Sequence, residues 1–287
     1  ISDPQAAKCI YLAKILILQR VTYDRILERI IRAKRSQDAI LLADLDDLVY
    51  LQDSFRWIDS PDFVDSVRAR LYQENLDRNR QTLQQCEGII VSTGFLAQKV
   101  SESGKPVWVH RNAFSLEMFA CAIQALSNQV THDAQIILGY ASGTPTHDRD
   151  FQLVQPILKQ VLEDYPAVHL HLIGHISKKI DWGRVSSKVH YLDFVPWRKL
   201  PLLLAQFSIN LAPLRLDNPF SQSKSEIKYI EAALVKVPTI ASPTEAFQHA
   251  IRHGENGYLA DSIQEWEKNL RALIENPSLR RTTGETA

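Results

Sequence analysis

Cysteine, methionine and any surplus of charge are scarce in this sequence, and each scarcity excludes something. There are three cysteines in 287 residues, Cys9, Cys86 and Cys121, far apart and odd in number. That spacing gives neither a disulfide framework nor a C-x-x-C or Cys/His zinc site, and a reducing, cytoplasmic compartment fits it best. Lys plus Arg and Asp plus Glu both total 33, so no net field gathers nucleic acid or anionic lipid, and any charged ligand must be held locally. No window reaches the roughly 18 uninterrupted apolar residues of a membrane span, so no transmembrane segment is expected. H-E-x-x-H, Gly-x-Ser-x-Gly and Walker A motifs are missing, as are fixed-period repeats and low-complexity tracts, which sets aside zincins, nucleophile-elbow hydrolases, P-loop proteins and solenoids. The single Met is not at the start, and the first strand-like run already lies behind a helical stretch, so the chain reads as a fragment of a longer protein.

What is present alternates. Branched runs at Ile15 to Leu18, Ala39 to Ala43, Gly88 to Ser92 and Val107 to Val109 are separated by helical patterns at 22 to 35 and 62 to 86. Six further runs follow, Gln135 to Tyr140, His169 to Ile173, His190 to Phe194, Ser208 to Ala212, Thr239 to Ala241 and Tyr258 to Ala260, again with helices between. Strands alternating with amphipathic helices imply parallel βαβ units. The fold class is α/β, with two Rossmann-like doubly wound domains facing a cleft, the first of them incomplete. A weakly patterned stretch at 113 to 134 places the boundary, giving domains of 1–114 and 115–287.

The segment from Leu211 to Ser242 carries the most chemistry. A strand ends near Ala212, a polar loop follows, and Ser223 with Glu226 three residues on reads as a capping box opening a helix. Helix starts beyond the carboxyl ends of strands are where doubly wound sheets bind ligands, and their backbone N–H groups suit phosphate. Lys224, Lys228 and Glu231 are spaced i, i+4, i+7 on one face, with Ile227, Ile230 and Leu234 on another. A cation can neutralise a diphosphate, and a carboxylate one turn on can accept two ribose hydroxyl protons. A solvated helix face laced with ion pairs has the same spacing, so spacing alone leaves both readings open.

The run Lys224-Ser-Glu-Ile-Lys-Tyr-Ile-Glu-Ala-Ala followed by Val-Pro-Thr-Ile-Ala-Ser resembles the donor-binding segment of glycosyltransferase family 4-like GT-B enzymes, also called group 1 glycosyl transferases. His253-Gly-Glu-Asn-Gly-Tyr-Leu259 is similar to that family's Asn-Gly loop, with Trp266 in the helix after it. The resemblance implies transfer of a sugar from a nucleotide diphosphate donor, UDP- or GDP-linked, to a hydroxyl of a glycan, lipid-linked or protein acceptor. Anomeric retention is implied in the same way, with the nucleotide sugar as co-substrate and no other cofactor. It makes Glu231 the ribose ligand and the backbone around Ser225 and Glu226 the pyrophosphate cradle, with Ser223, Lys224 and Lys228 beside them. Two positions depart from the family pattern. Ser223 stands where a Glu often touches the donor sugar, and Lys236 replaces the usual helix-ending Gly, which argues against a left-handed cap.

Gln135 to Asp150 reads as a strand, a small-residue loop and a helix capped by Thr146 or Asp148. Taken alone it is a plain βα turn. It resembles the first loop of the GT-B C-terminal domain, which makes Ser142, Gly143 and His147 donor-loop candidates, with Arg149 close by. Asp44, Asp46 and Asp47 follow an apolar run. They admit a metal-binding Asp-x-Asp as in GT-A enzymes, a haloacid-dehalogenase-like nucleophile and acid, or a structural role capping a helix or pairing with Arg20. Leu48 stands where the dehalogenase pattern expects Thr or Val. The GT-A reading leaves Lys228 and Glu231 without a task, so no metal is assigned, and Asp46, Asp47 and Arg20 are the acceptor-side catalytic candidates. His110 and Asn112 resemble the family's segment at the end of the N-terminal domain. Two alternatives remain: a noncatalytic nucleotide- or glycan-binding relic, and a nucleotide-sugar epimerase of the same fold. Peripheral association with the inner membrane face is compatible with a lipid-linked acceptor.

Overall fold

The computed structural model describes residues 3–58, 63, 65–128 and 135–287. The contacts divide the chain into two compact units. One comprises residues 1–58, 62–111 and 223–225, the other 59–61, 112–222 and 226–287.

In the first unit, helix α1 (Pro4–Leu12) precedes strand β1 (Ile15–Gln19), α2 (Arg25–Arg35), β2 (Ile40–Leu45), α3 (Ser66–Gln85), β3 (Gly88–Val91), α4 (Gly94–Val100) and β4 (Val107–Val109). The strands are all parallel and lie in chain order, β1-β2-β3-β4. This is one half of a doubly wound arrangement, because right-handed crossovers that always advance in one direction put every helix on the same face. That face holds Leu18, Leu41 and Ala43 against Leu27 and Ile31 of α2. The alternate strand positions are different: Ile15, Ile17, Ile40 and Trp108 are each about half exposed. Asp24 caps α2 through Leu27 N–H (2.7 Å), and Asp65 caps α3 through the Val67 and Arg68 N–H groups. The buried Lys34 joins α1 to α2 by donating to Tyr11 O (2.9 Å) and Gln37 Oε1 (2.8 Å).

The second unit contains α5 (Leu116–Ser127), β5 (Ile136–Ser142), α6 (Asp148–Gln152), α7 (Gln155–Asp164), β6 (Val168–Gly174), β7 (Val189–Leu192), α8 (Leu200–Leu204) and β8 (Ile209–Ala212). It continues with α9 (Pro219–Gln222), α10 (Ile227–Ala233), β9 (Thr239–Ala241), α11 (Glu245–Ala250), β10 (Tyr258–Leu259), α12 (Ile263–Glu275) and α13 (Pro277–Thr286). Its six parallel strands run β10-β9-β8-β5-β6-β7. The chain winds outward from β5 through β6 to β7, then returns to β8 and winds the other way, so the order reverses between β5 and β8. One face buries Leu138, Tyr140, Leu170 and Leu211 against α7 and α12, the other Ile137, Ile173 and Phe207 against α5, α8 and α10. Gly139 is needed inside β5 because a Cβ there would lie 2.0 Å from the Phe207 ring.

All ten expected strands are present, with ends shifted by up to two residues. Four local expectations need correction. Neither Thr146 nor Asp148 caps the helix after β5; a single turn at Pro145–His147 leads into α6, with His147 at its N-cap and no side-chain bond to the helix's first N–H groups. The expected capping box at Ser223 and Glu226 does not form either. Glu226 is itself the N-cap of α10, without a side-chain bond, and the helix starts at Ile227. The buried stripe on α10 is therefore Tyr229 and Ala232, continued by Val235, and Ile227, Ile230 and Leu234 are only half-buried. Lys236 adopts φ +58. Its N–H bonds Ala233 O (2.9 Å) while Val237 N–H bonds Ala232 O (3.0 Å), so the left-handed cap forms with Lys in the place that favours Gly.

Candidate functional site

The carboxyl ends of β5 and β8, where the strand order reverses, are the place where an open α/β sheet can hold a ligand. The second unit collects its polar groups there. From α10, which follows β8, Lys228 reaches β5: its ammonium donates to Ala141 O and lies 4.6 Å from the centre of the Tyr140 ring. Asn210 of β8 fixes the start of that side chain by donating to Lys228 O (3.2 Å). An ammonium carries three protons, so the contact with Ala141 O is compatible with a further anionic partner. Glu231 lies one turn further along α10. Burial raises the pKa of its carboxyl, and Lys228 partly offsets the rise.

The loop after β5 is held from several directions. Ser142, a donor-loop candidate, is buried and donates its hydroxyl to Thr144 O (2.8 Å), closing a turn within the loop. Ser142 O in turn accepts from His175 N–H (3.0 Å). Gly174, at φ +87, permits that approach, since a Cβ there would lie 2.3 Å from Ser142 O. A Cβ on Gly143 would meet nothing within 4 Å, so the loop faces open space at that residue.

The centre of this arrangement is a residue that the sequence reading passed over. Asp150 is 3% exposed. Its Oδ2 lies 2.9 Å from His147 Nδ1, and its Oδ1 accepts from Arg215 N–H (2.9 Å) and Ser221 Oγ (2.8 Å). Burial alone would raise its pKa; the bonds from His147, Arg215 N–H and Ser221 and the nearby imidazole outweigh that, and the carboxyl is held below the usual range. The neighbouring Asp148 accepts from Ser177 N–H (3.0 Å). His147, a donor-loop candidate, is thus tied to a carboxylate. The one available sequence signal was the His-x-x-Asp spacing, which puts both residues on one turn.

The acidic candidates belong to the first unit. Arg20 Nη1 is 3.4 Å from Asp46 and Nη2 3.8 Å from Asp47, while Lys224 Nζ donates to Asp47 Oδ1 at 2.7 Å. Lys224 precedes α10 and groups with the first unit, so the expected common face with Lys228 and Glu231 is reduced to the latter two. Ser223 is fully buried in the same three-residue segment, and Ser225 is half-buried. Burial and Asp46 raise the pKa of Asp44, against the pull of His110. Arg20 has φ +50. Left-handed backbone costs a non-Gly residue about 1–2 kcal/mol, more than the roughly 0–1 kcal/mol typical of an exposed ion pair. The pairing therefore does not by itself account for that conformation. Among the described residues no group of three or more His, Cys, Asp or Glu side chains is arranged to hold a metal ion, and no helix is long and apolar enough to cross a membrane.

Comparison with known proteins bears on the fold and on one domain of the chain. Residues 135–276 match the family model of glycosyl transferases group 1. No curated protein matches the chain. Among solved structures, sucrose-phosphate synthase from Thermosynechococcus elongatus is similar, with a TM-score of 0.65 at 15% identity over 98% of this chain and 69% of that one. Anabaena HepE, solved with UDP and glucose, gives 0.62 at 16% identity, over 99% of this chain and 75% of that one. The pneumococcal O-GlcNAc transferase GtfA, solved with UDP and GlcNAc, gives 0.61 at 14% identity, over 98% and 54% respectively. Lys228, Glu231 and the loop after β5 thus lie in a group 1 glycosyl transferase domain, residues 135–276, carried on a GT-B fold.

Proposed function

We propose that the chain transfers a sugar from a nucleoside diphosphate donor to an acceptor hydroxyl, with retention and without an obligatory metal. The observation that carries this reading is the position of Lys228, whose ammonium sits at the carboxyl end of β5, with Glu231 one turn on. Lys228 neutralises the diphosphate and Glu231 accepts from the ribose hydroxyls. The UDP in the HepE and GtfA structures supports a nucleotide at this switch point. Stabilisation of the leaving diphosphate falls mainly on the lysine. A helix terminus contributes about 0.3–1 kcal/mol, whereas a hydrogen bond to a charged group is worth about 1.5–3 kcal/mol, and α10 spans only Ile227–Ala233. Arg20 and Asp46 are assigned to the acceptor, which is a glycan, a lipid-linked sugar or a protein.

UDP and GDP test the reading directly. At a hundred times its dissociation constant the preferred diphosphate should stabilise the protein by about 2.7 kcal/mol, read as a thermal shift. Lys228→Ala should lose roughly 1.5–3 kcal/mol of diphosphate affinity and leave the bare nucleoside unaffected. Equal losses for both ligands would reduce the lysine to a support for the helix. A noncatalytic relic is the competing reading, and it draws on the buried Ser223 in the place where family members often carry a Glu. Donor turnover by the intact protein separates the two.

A further inference from the structure

We propose that Asp150 is a positioning residue of the donor site, a buried clamp that ties the β5–α6 loop to the β8–α9 loop and sets His147 to meet an anionic oxygen of a bound diphosphate. The inference rests on the donor reading above and extends it to Asp150 and Ser221, which carry no role in it so far. Asp150 stands on the first turn of α6, just past the end of β5, and its partners come from both sides of the reversal: His147 from its own loop, Arg215 from the segment after β8, and Ser221 from α9. The Arg215 guanidinium adds its charge, with Nε 4.0 Å from Oδ1.

The chemistry follows from what an ionised carboxylate can do. It accepts and does not donate, so the bond at 2.9 Å commits a proton to His147 Nδ1 and fixes the ring's tautomer and direction. The contact that the proposal assigns to a diphosphate oxygen therefore falls to Nε2. Both oxygens of Asp150 are occupied by protein donors, so the buried negative charge is consumed internally and does not repel a diphosphate as an open carboxylate would. The loop's open surface at Gly143 leaves room beside the clamp for a ligand.

The test measures UDP, GDP and uridine affinities by calorimetry for the intact chain and for Asp150→Asn, His147→Gln, Ser221→Ala and the His147→Gln pairs with each of the others. If the clamp acts through His147, Asp150→Asn weakens the preferred diphosphate by about tenfold or more and uridine by less than twofold. Neither Asp150→Asn nor Ser221→Ala should then weaken binding further in the His147→Gln background, since groups acting as one unit are not additive. Effects that multiply, or an equal fall for UDP and uridine, overturn the clamp. Should Asp150→Asn fail to fold, Ser221→Ala carries the decision: it removes one bond to the same carboxylate, and a several-fold loss confined to the diphosphate is expected. Diphosphate binding unchanged by Ser221→Ala and by Asp150→Asn overturns the proposal while leaving the donor reading intact. If the unaltered chain binds neither diphosphate, the donor reading fails and the clamp with it.

Discussion

Glu231, assigned above to the ribose, carries a cost to the fold. Burial raises its pKa, so folding binds its proton more tightly than the unfolded chain does. The sign follows from linkage: stability associated with this group is fully present at low pH, where it is protonated in both states, and is lost as pH rises through its folded value. At neutral pH the ionised carboxylate is therefore a net burden, and Glu231→Gln should raise the melting temperature while weakening nucleoside diphosphate binding. The gain in stability should fade towards acid pH. A lower melting temperature at pH 7 would mean that the carboxylate has a stabilising partner. Lys228 and Glu231 were legible in the sequence because they fall within four residues of one helix. Asp150 was not, because its partners Arg215 and Ser221 lie 65 and 71 positions away, and no local pattern announces a carboxylate that gathers donors across a reversal of strand order.

At the scale of elements, patterns of branched residues located the ten strands seen among the described residues, most plainly in the second unit, whose parallel strands are covered on both faces and are nearly continuous apolar runs. The ends of helices were harder to read. The Ser223 to Glu226 spacing fits a capping box, yet Ser223 is buried and its segment groups with the first unit, while Glu226 is the N-cap of α10, so tertiary packing overrode the local signal. At the other end of α10, Lys236 has the left-handed backbone that a Gly would adopt without strain. Lys236→Gly should stabilise the protein by about 0.5–1 kcal/mol, the left-handed penalty of about 1–2 kcal/mol relieved less the added freedom of Gly in the unfolded chain. Urea denaturation measures this, and a loss of stability would show that the Lys236 side chain contributes more than its backbone costs.

At the scale of the whole molecule, donor and acceptor roles are assigned to different units, which makes them separable by mutation. Asp46→Asn should leave nucleoside diphosphate affinity within about twofold. If Asp46 is the base, transfer falls by ~10²- to 10⁴-fold. Asp47→Asn is a less clean probe, because it also releases Lys224 from its 2.7 Å contact. Loss of donor affinity in Asp46→Asn, copied in the unaltered protein by a chelator, would replace the base with a metal site.

The half-wound sheet of the first unit has one more consequence, and it is optical. Of the five tryptophans, Trp182 and Trp266 are buried, while Trp108 stands 51% exposed on the sheet face opposite the helices. Indole emission shifts to longer wavelength in water, so Trp108 should supply much of the red, acrylamide-quenchable fluorescence, with Trp197 at 40% exposure the main other source. Trp108→Phe should move the emission maximum to the blue and reduce quenching. Any polypeptide or ligand that settles on Ile15, Ile17 and Ile40 should do the same to the unaltered protein. If quenching is the same with and without Trp108, that face of the sheet is already covered in solution.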